Sequence, residues 1–197
     1  EPTIVREQLD GRQGYAEEFL GPDALRVALP TLSGNLTDAA VVVDEAAHGR
    51  GRITLDYEHF SVVMHAERRL ATYTASNIDG GRLQRIKREK DRWFLDPRID
   101  TRFQIGDELY RDNDLDRGHL VRRLDPAWGD IAEARLGAGD TFFFTNCSPQ
   151  HIKFNQQLWL ELEDYLLDNA ETRGFAACVF TGSLVRLTGS GLGCEGW

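Results

Sequence analysis

Three features of the chain predict an α+β fold with a central antiparallel sheet. Two runs rich in β-branched and aromatic residues, Phe60–His65 and Leu70–Asn77, are separated only by the polar tetrad Ala66–Arg69, the pattern of a β-hairpin. A helical periodicity appears much later, from Asn155 to Ala170. Between and around these, strands and helices lack the regular alternation of a doubly wound sheet. The chain has 197 residues, enough for one well-buried domain, and its 41% apolar and 28% charged content excludes wholesale disorder.

Taken in order, residues 1–40 scatter Gly11, Gly14, Gly21, Pro22, Pro30 and Gly34 without periodicity, an irregular lead-in with short helical turns. We separate an N-terminal segment, 1–50, from a domain over 51–197. Val41-Val42-Val43 before Asp44-Glu45 suits a short strand or a short helix equally. Strand character firms up from Ile53, and Asp79-Gly80-Gly81 signals a turn after the hairpin. Gly137–Asp140 reads as a further turn leading into a buried strand, Thr141–Thr145. On the late helix, Leu158, Leu162, Tyr165 and Leu166 share a face with Trp159 beside them. Gly174 is its stop signal, and Ala176–Thr181 reads as a strand.

Composition removes several functions. No apolar run reaches the roughly 18 residues that a membrane span requires. Cys147, Cys178 and Cys194 are odd in number and without CxxC spacing, which supports neither a disulfide framework nor a cysteine zinc site. They read as buried or incidental thiols. The net charge of −9 argues against coating nucleic acid through bulk charge. Charge is uneven, however. Arg82–Arg102 holds eight basic residues (Arg82, Arg85, Lys87, Arg88, Lys90, Arg92, Arg98, Arg102) against four acidic ones, so it is +4 and the remainder is −13. No charged-then-apolar signal segment is visible after Glu1, and the sequence assigns no compartment.

Three segments carry chemistry: Asp116-Arg-Gly-His119, Asn146 within Thr145-Asn-Cys-Ser-Pro-Gln150, and Asn155 with Trp159 and Glu163. His119 follows Gly118, a position where a ligand can approach backbone closely. Arg117 offers a guanidinium fork suited to phosphate oxygens. Asn155 and Glu163, about two helical turns apart, supply hard oxygen donors of the kind Mg²⁺ takes alongside retained waters. Each residue alone has an ordinary explanation: a hydrogen-bonded core histidine, a helix N-cap, a solvent-facing acid, a core tryptophan. Their combination is the informative signal.

That combination, with Phe143–Gln150 and Phe154–Glu163, resembles the DNA/RNA non-specific endonucleases, the ββα-metal group, over roughly residues 53–185. The resemblance implies an active site carried on a ββα-metal finger module, with His119 at a strand end and Asn155 at the start of the following helix. It implies His119 as general base, Asn155 as the direct ligand of one Mg²⁺ (or Mn²⁺), and Glu163 holding the ion through water. Arg117 and Asn146 are expected on the substrate side, Asn146 supporting the site. An upstream arginine is expected before Trp93-Phe-Leu-Asp-Pro97; Arg88 fits the spacing best, with Lys90 and Arg92 as rivals. The expected substrates are DNA and RNA, bound through a face that includes Arg82–Arg102, with no membrane partner. A second copy of the chain and an inhibitor protein stay open as partners. The family domain runs on past Thr181-Gly182 with further sheet residues, so a C-terminally shortened domain is expected here. The competing readings are an inactive nucleic-acid-binding relative and the nuclease effector domain of a larger toxin or defence protein.

Overall fold

The β-branched hairpin lies at the centre of the structure. The computed structural model describes residues 4–43, 52–88, 90–151, 160–183, 186–188 and 191–193. Strands β1 (Thr54–Tyr57), β2 (Phe60–His65) and β3 (Leu70–Asp79) run antiparallel, and the late strand Ala176–Thr181 adds to the free edge of β3. Between them in the chain stand a second, two-stranded antiparallel ribbon, β4 (Leu115–His119) and β5 (Cys147–His151). Ala176–Thr181 is therefore β6, and β7 (Arg186–Thr188) pairs with β8 (Gly191–Gly193) beyond it. Helix α1 is a single turn at Asn35–Asp38; α2 spans Ile131–Asp140 and α3 spans Leu160–Arg173.

β2 is buried on both faces, which its nearly unbroken Phe-Ser-Val-Val-Met-His composition reflects. Phe60, Val62 and Met64 face the main core with Leu55, Tyr57, Ile99, Leu120, Val121 and Phe143. The other face is covered by the N-terminal lead-in. Tyr15 N–H donates to Ser61 Oγ at 2.9 Å, and Asn77 exchanges two side-chain bonds with the backbone of Ala16. Short 3₁₀ turns at Arg6–Leu9 and Asp23–Leu25 carry this segment along. Val41–Val43, open between strand and helix in the sequence, is extended: Val41 N–H bonds the Met64 carbonyl and Val43 N–H that of Arg52.

Two expectations fail. Gly137–Asp140 is not a turn but the last part of α2. Its N-terminus is fixed by an Asp130–Glu133 capping box. Gly137 is needed because the Pro126 carbonyl lies 2.3 Å from where a Cβ would stand, and Asp140 is tied to Arg12 and to the Glu58 N–H. Thr141–Thr145 is not a strand either. Phe143 makes one isolated bridge to Phe94, and the backbone then coils into a 3₁₀ turn at Phe144–Asn146 before β5 begins.

Helix α3 packs with a different face from the expected one. Leu167, Ala170 and Leu166 meet Ile78, Leu83 and Phe175, while Leu162 and Tyr165 are 57% and 68% exposed. Leu158 and Trp159 lie outside the described residues. The reason is a close approach at Gly80, where a Cβ would stand 2.0 Å from the Ala170 carbonyl. That contact fixes the rotation of the helix against the sheet and leaves the larger apolar residues outside. Gly174 ends the helix as expected, at φ +63°. Its N–H bonds the Glu171 carbonyl while Phe175 N–H bonds that of Ala170, a Schellman arrangement. Because backbone cannot yield as a side-chain tip can, Gly80→Ala should destabilise the fold by about 2 kcal/mol through overpacking. Urea unfolding checks this; an unchanged midpoint would show that α3 can shift without cost.

Candidate active site

His119 is the last residue of β4, paired with Cys147 of β5, at the strand end where it was expected. The ring is half-buried. Trp93 packs against it at 4.7 Å between centroids, and Phe142 meets it edge-on at 5.0 Å. Its Nε2 is buried with no hydrogen-bond partner among the described residues. Burial above all, then the positive charges of Arg88, Arg123 and Arg122, pull the imidazole pKa down to about 4, with Asp91 opposing. The ring is therefore neutral near pH 7.

The backbone after His119 is held by Asn146. This side chain is fully buried, and its three hydrogen bonds all go to main chain. Oδ1 accepts from Val121 N–H at 2.9 Å; Nδ2 donates to the carbonyls of Val121 and Thr141 at 2.9 and 3.0 Å. In addition, Leu120 N–H donates to the Asn146 carbonyl. The described hydrogen bonds of the Asn146 side chain thus hold the main chain that follows His119.

A buried ionic network lies next to it in the chain. Arg98 and Asp96 pair with both side chains almost fully buried. The Tyr57 hydroxyl donates to Asp96 at 2.5 Å and lies 2.6 Å from the Thr145 hydroxyl, with the Arg98 guanidinium over the Tyr57 ring. Gln104 closes the loop by accepting from Asp96 N–H and donating to its carbonyl. Arg98 was expected within a nucleic-acid-binding face; it belongs to the core. Arg82 pairs with Asp79, and Arg85 with Asp168 and Glu171, so part of the basic stretch is spent within the fold.

Of the three upstream candidates, the structure brings Arg88 into the electrostatic surroundings of His119. Its guanidinium is bidentate to Asp91, at 3.0 and 2.5 Å. Lys90 and Arg92 are exposed. Arg117 pairs with Asp107 and lies over the Tyr110 ring. Gly118 does admit a close neighbour, but it is the Gln150 side chain across the ribbon, 2.2 Å from a would-be Cβ, not a ligand. Asn155 lies outside the described residues, as does the side chain of Glu163. Cys147 is buried beneath the ribbon, its thiol raised to about 12 by burial, and Cys178 is also unpaired, as expected of inert thiols; Cys194 lies outside the described residues.

Sequence reasoning missed Asp91, Phe142, Arg122 and Arg123 altogether and treated Trp93 only as an anchor for spacing. The two arginines directly follow Leu120-Val121, and their charge was a visible signal. Arg122 pairs with Asp164 on α3, and Arg123 Nη1 donates to the Ile86 carbonyl at 2.9 Å.

The α+β scaffold thus carries a strand-end imidazole kept neutral among guanidiniums. Residues 40–191 match the DNA/RNA non-specific endonuclease family, and the chain belongs to that family. It is 47% identical over 189 residues to the uncharacterized protein y4fB of Sinorhizobium fredii (strain NBRC 101917 / NGR234), an alignment that takes in 90% of this chain. The chain spans only 27% of that longer relative. The fold is shared with a crystal structure of the EndoG/EndoGI complex, concerned with the mechanism of EndoG inhibition, at a TM-score of 0.59 and 18% identity. That match covers 81% of this chain and 62% of the other. Nucleases of this family depend on a divalent metal ion. Among the described residues no group of three or more His, Cys, Asp or Glu is arranged to hold one. By chemistry alone, the amide oxygen of Asn155 and the carboxylate of Glu163 are hard donors of the kind a divalent cation takes.

Loss of the Asn146 amide leaves three buried main-chain groups unpaired. Asn146→Ala should therefore lower stability by about 2 kcal/mol or more in urea unfolding. Unaltered stability would show that the clamp on Val121 is dispensable.

Proposed function

We propose that this chain hydrolyses phosphodiester bonds within DNA and RNA, with His119 as general base. The observation that carries the proposal is the neutral imidazole, its buried Nε2 unengaged by the described residues, set among the charges of Arg88, Arg122 and Arg123. A phosphodiester is anionic and repels a nucleophile, so its hydrolysis needs a proton acceptor beside concentrated positive charge. His119 takes the proton of the attacking water at Nε2. Trp93 and Phe142 hold the ring in place and keep bulk water from it. Arg88 exchanges its contact with Asp91 for a phosphate oxygen and stabilises the charge that accumulates there. Arg117 stands on the same strand and aids substrate binding.

Asn155 would hold a Mg²⁺ or Mn²⁺ ion directly and Glu163 would hold it through water. When bound, the ion supplies Lewis acidity at the phosphate and the leaving oxygen. Since these groups address the backbone and none needs a ribose 2′-hydroxyl, base and sugar should matter little. Exposed Lys87, Lys90 and Arg92 extend the positive face along the strand of nucleic acid. A second reading, the nuclease module of a larger protein, is favoured by the match to only part of the longer rhizobial relative. Mass measurement on the natural product decides it.

Plasmid DNA and RNA should both be degraded with Mg²⁺ and spared with a chelator. His119→Ala should lower the rate at least about 100-fold, the usual contribution of a general base, with the fold intact by circular dichroism. Near-normal cleavage by that variant overturns the assignment.

Because His119 is depressed to about 4, the acid limb of kcat/KM should lie near that value instead of near the ordinary ~6.5. The same shift has a stability consequence. As pH falls from about 6.5 toward about 4, the unfolded chain binds a proton that the folded ring refuses, so stability declines across that window. An NMR titration of the His119 ring checks the value; a midpoint near 6.5 would show a solvated imidazole.

A further inference from the structure

Three guanidiniums and one carboxylate act on His119, and the pairing of the guanidiniums is uneven. Arg88 is bonded to Asp91, and Arg122 to Asp164. Arg123 is held differently. Its Nη1 donates to a neutral acceptor, the Ile86 carbonyl, at 2.9 Å. Among the described residues no carboxylate stands at ion-pair distance from it; Asp91 acts on it only from farther off, already engaged with Arg88. A neutral acceptor positions a guanidinium without cancelling its charge. Burial, with Arg88 and then Arg122 close by, disfavours the charged form of Arg123. A half-buried cation pressed against like charge is costly unless an anion completes it.

The placement of this charge is fixed. Arg123 follows Leu120 and Val121, the residues that Asn146 clamps, so its main chain is set relative to His119 by the same three bonds. Ile86 anchors the far end of the side chain on the segment that leads to Arg88 and Asp91. Arg123, Arg88 and Asp91 all act on the imidazole. Hence the uncompensated charge of the cluster belongs to a side chain whose two ends are both tied to the site.

We infer that Arg123 is a phosphodiester-binding residue: its guanidinium receives a non-bridging oxygen of the nucleic-acid backbone at the linkage that His119 faces. The inference rests on the phosphodiesterase reading above and adds a residue to it. Arg88 must give up Asp91 before it meets substrate, whereas Arg123 has no carboxylate to give up among the described residues. Arg123 therefore contributes to ground-state affinity and to the salt dependence of binding.

The test measures binding without cleavage. A fluorescein-labelled DNA duplex is titrated by anisotropy against His119→Ala protein, and against the same protein carrying Arg123→Gln or Arg123→Lys, over a series of salt concentrations. Gln keeps an amide N–H for the Ile86 carbonyl and removes the charge; Lys keeps the charge. Arg123→Gln should weaken binding about tenfold and flatten the slope of log affinity against log salt by about one, the signature of one phosphate contact. Arg123→Lys should keep the slope of its parent. The proposal is overturned if the Gln variant binds with unchanged affinity and slope, or if Gln and Lys lose affinity equally, which marks a packing role. Either of those results leaves the phosphodiesterase reading intact. Failure of the chain with His119 in place to cleave plasmid, together with failure of the His119→Ala parent to bind the duplex, overturns both.

Discussion

The amide of Asn146 supplies to Val121 the two hydrogen bonds that a neighbouring strand would otherwise give it, one to the N–H and one to the carbonyl. β4 has by then ended, and the chain turns away from its partner at the residue carrying the imidazole. Without that amide, the peptide groups following His119 would be buried and unpaired, a cost that native structures rarely tolerate. The clamp is itself fixed from the next residue. Thr145 meets Tyr57, Tyr57 meets Asp96, and Asp96 is locked by Arg98 and Gln104. An ion pair in the core thus reaches the site through adjacent main chain and connects sheet, loop and ribbon.

Buried ion pairs seldom add net stability, because desolvating two charges offsets their attraction. Their value here is orientation. Removing either partner would leave a lone charge in the core, so only one arrangement of Tyr57, Asp96, Arg98 and Thr145 is acceptable. That uniqueness is passed to Asn146 and then to His119. The same logic accounts for Asp140, at a helix C-terminus where a carboxylate is unfavourable, being balanced by Arg12 from the lead-in.

Around His119 the balance differs, since three guanidiniums act on the ring and only two of them are paired with carboxylates among the described residues. An apolar cage of Trp93 and Phe142 and a ring of guanidiniums act in the same direction on the imidazole, keeping it neutral. The chain as a whole carries −9, so the positive charge beside His119 is a local feature of the fold.

Much of this was legible in the sequence because it is local. The hairpin from Phe60 to Asn77, the Gly174 stop, the last strand of the main sheet and the strand-end position of His119 depend on propensities and spacing within a few residues. Gly137 and Thr141–Thr145 were misread, since glycine near a run of phenylalanines has the local signature of a turn and a strand. Only the Pro126 carbonyl against Gly137 and the amide of Asn146 reverse that reading. The exposed face of α3 likewise follows from Gly80, distant in sequence, and no periodicity within the helix reveals it. Sequence alone therefore determined the fold class and the family. Tertiary structure decided which arginines are spent on carboxylates and why the imidazole stays neutral, because those outcomes depend on burial and on partners brought together by folding.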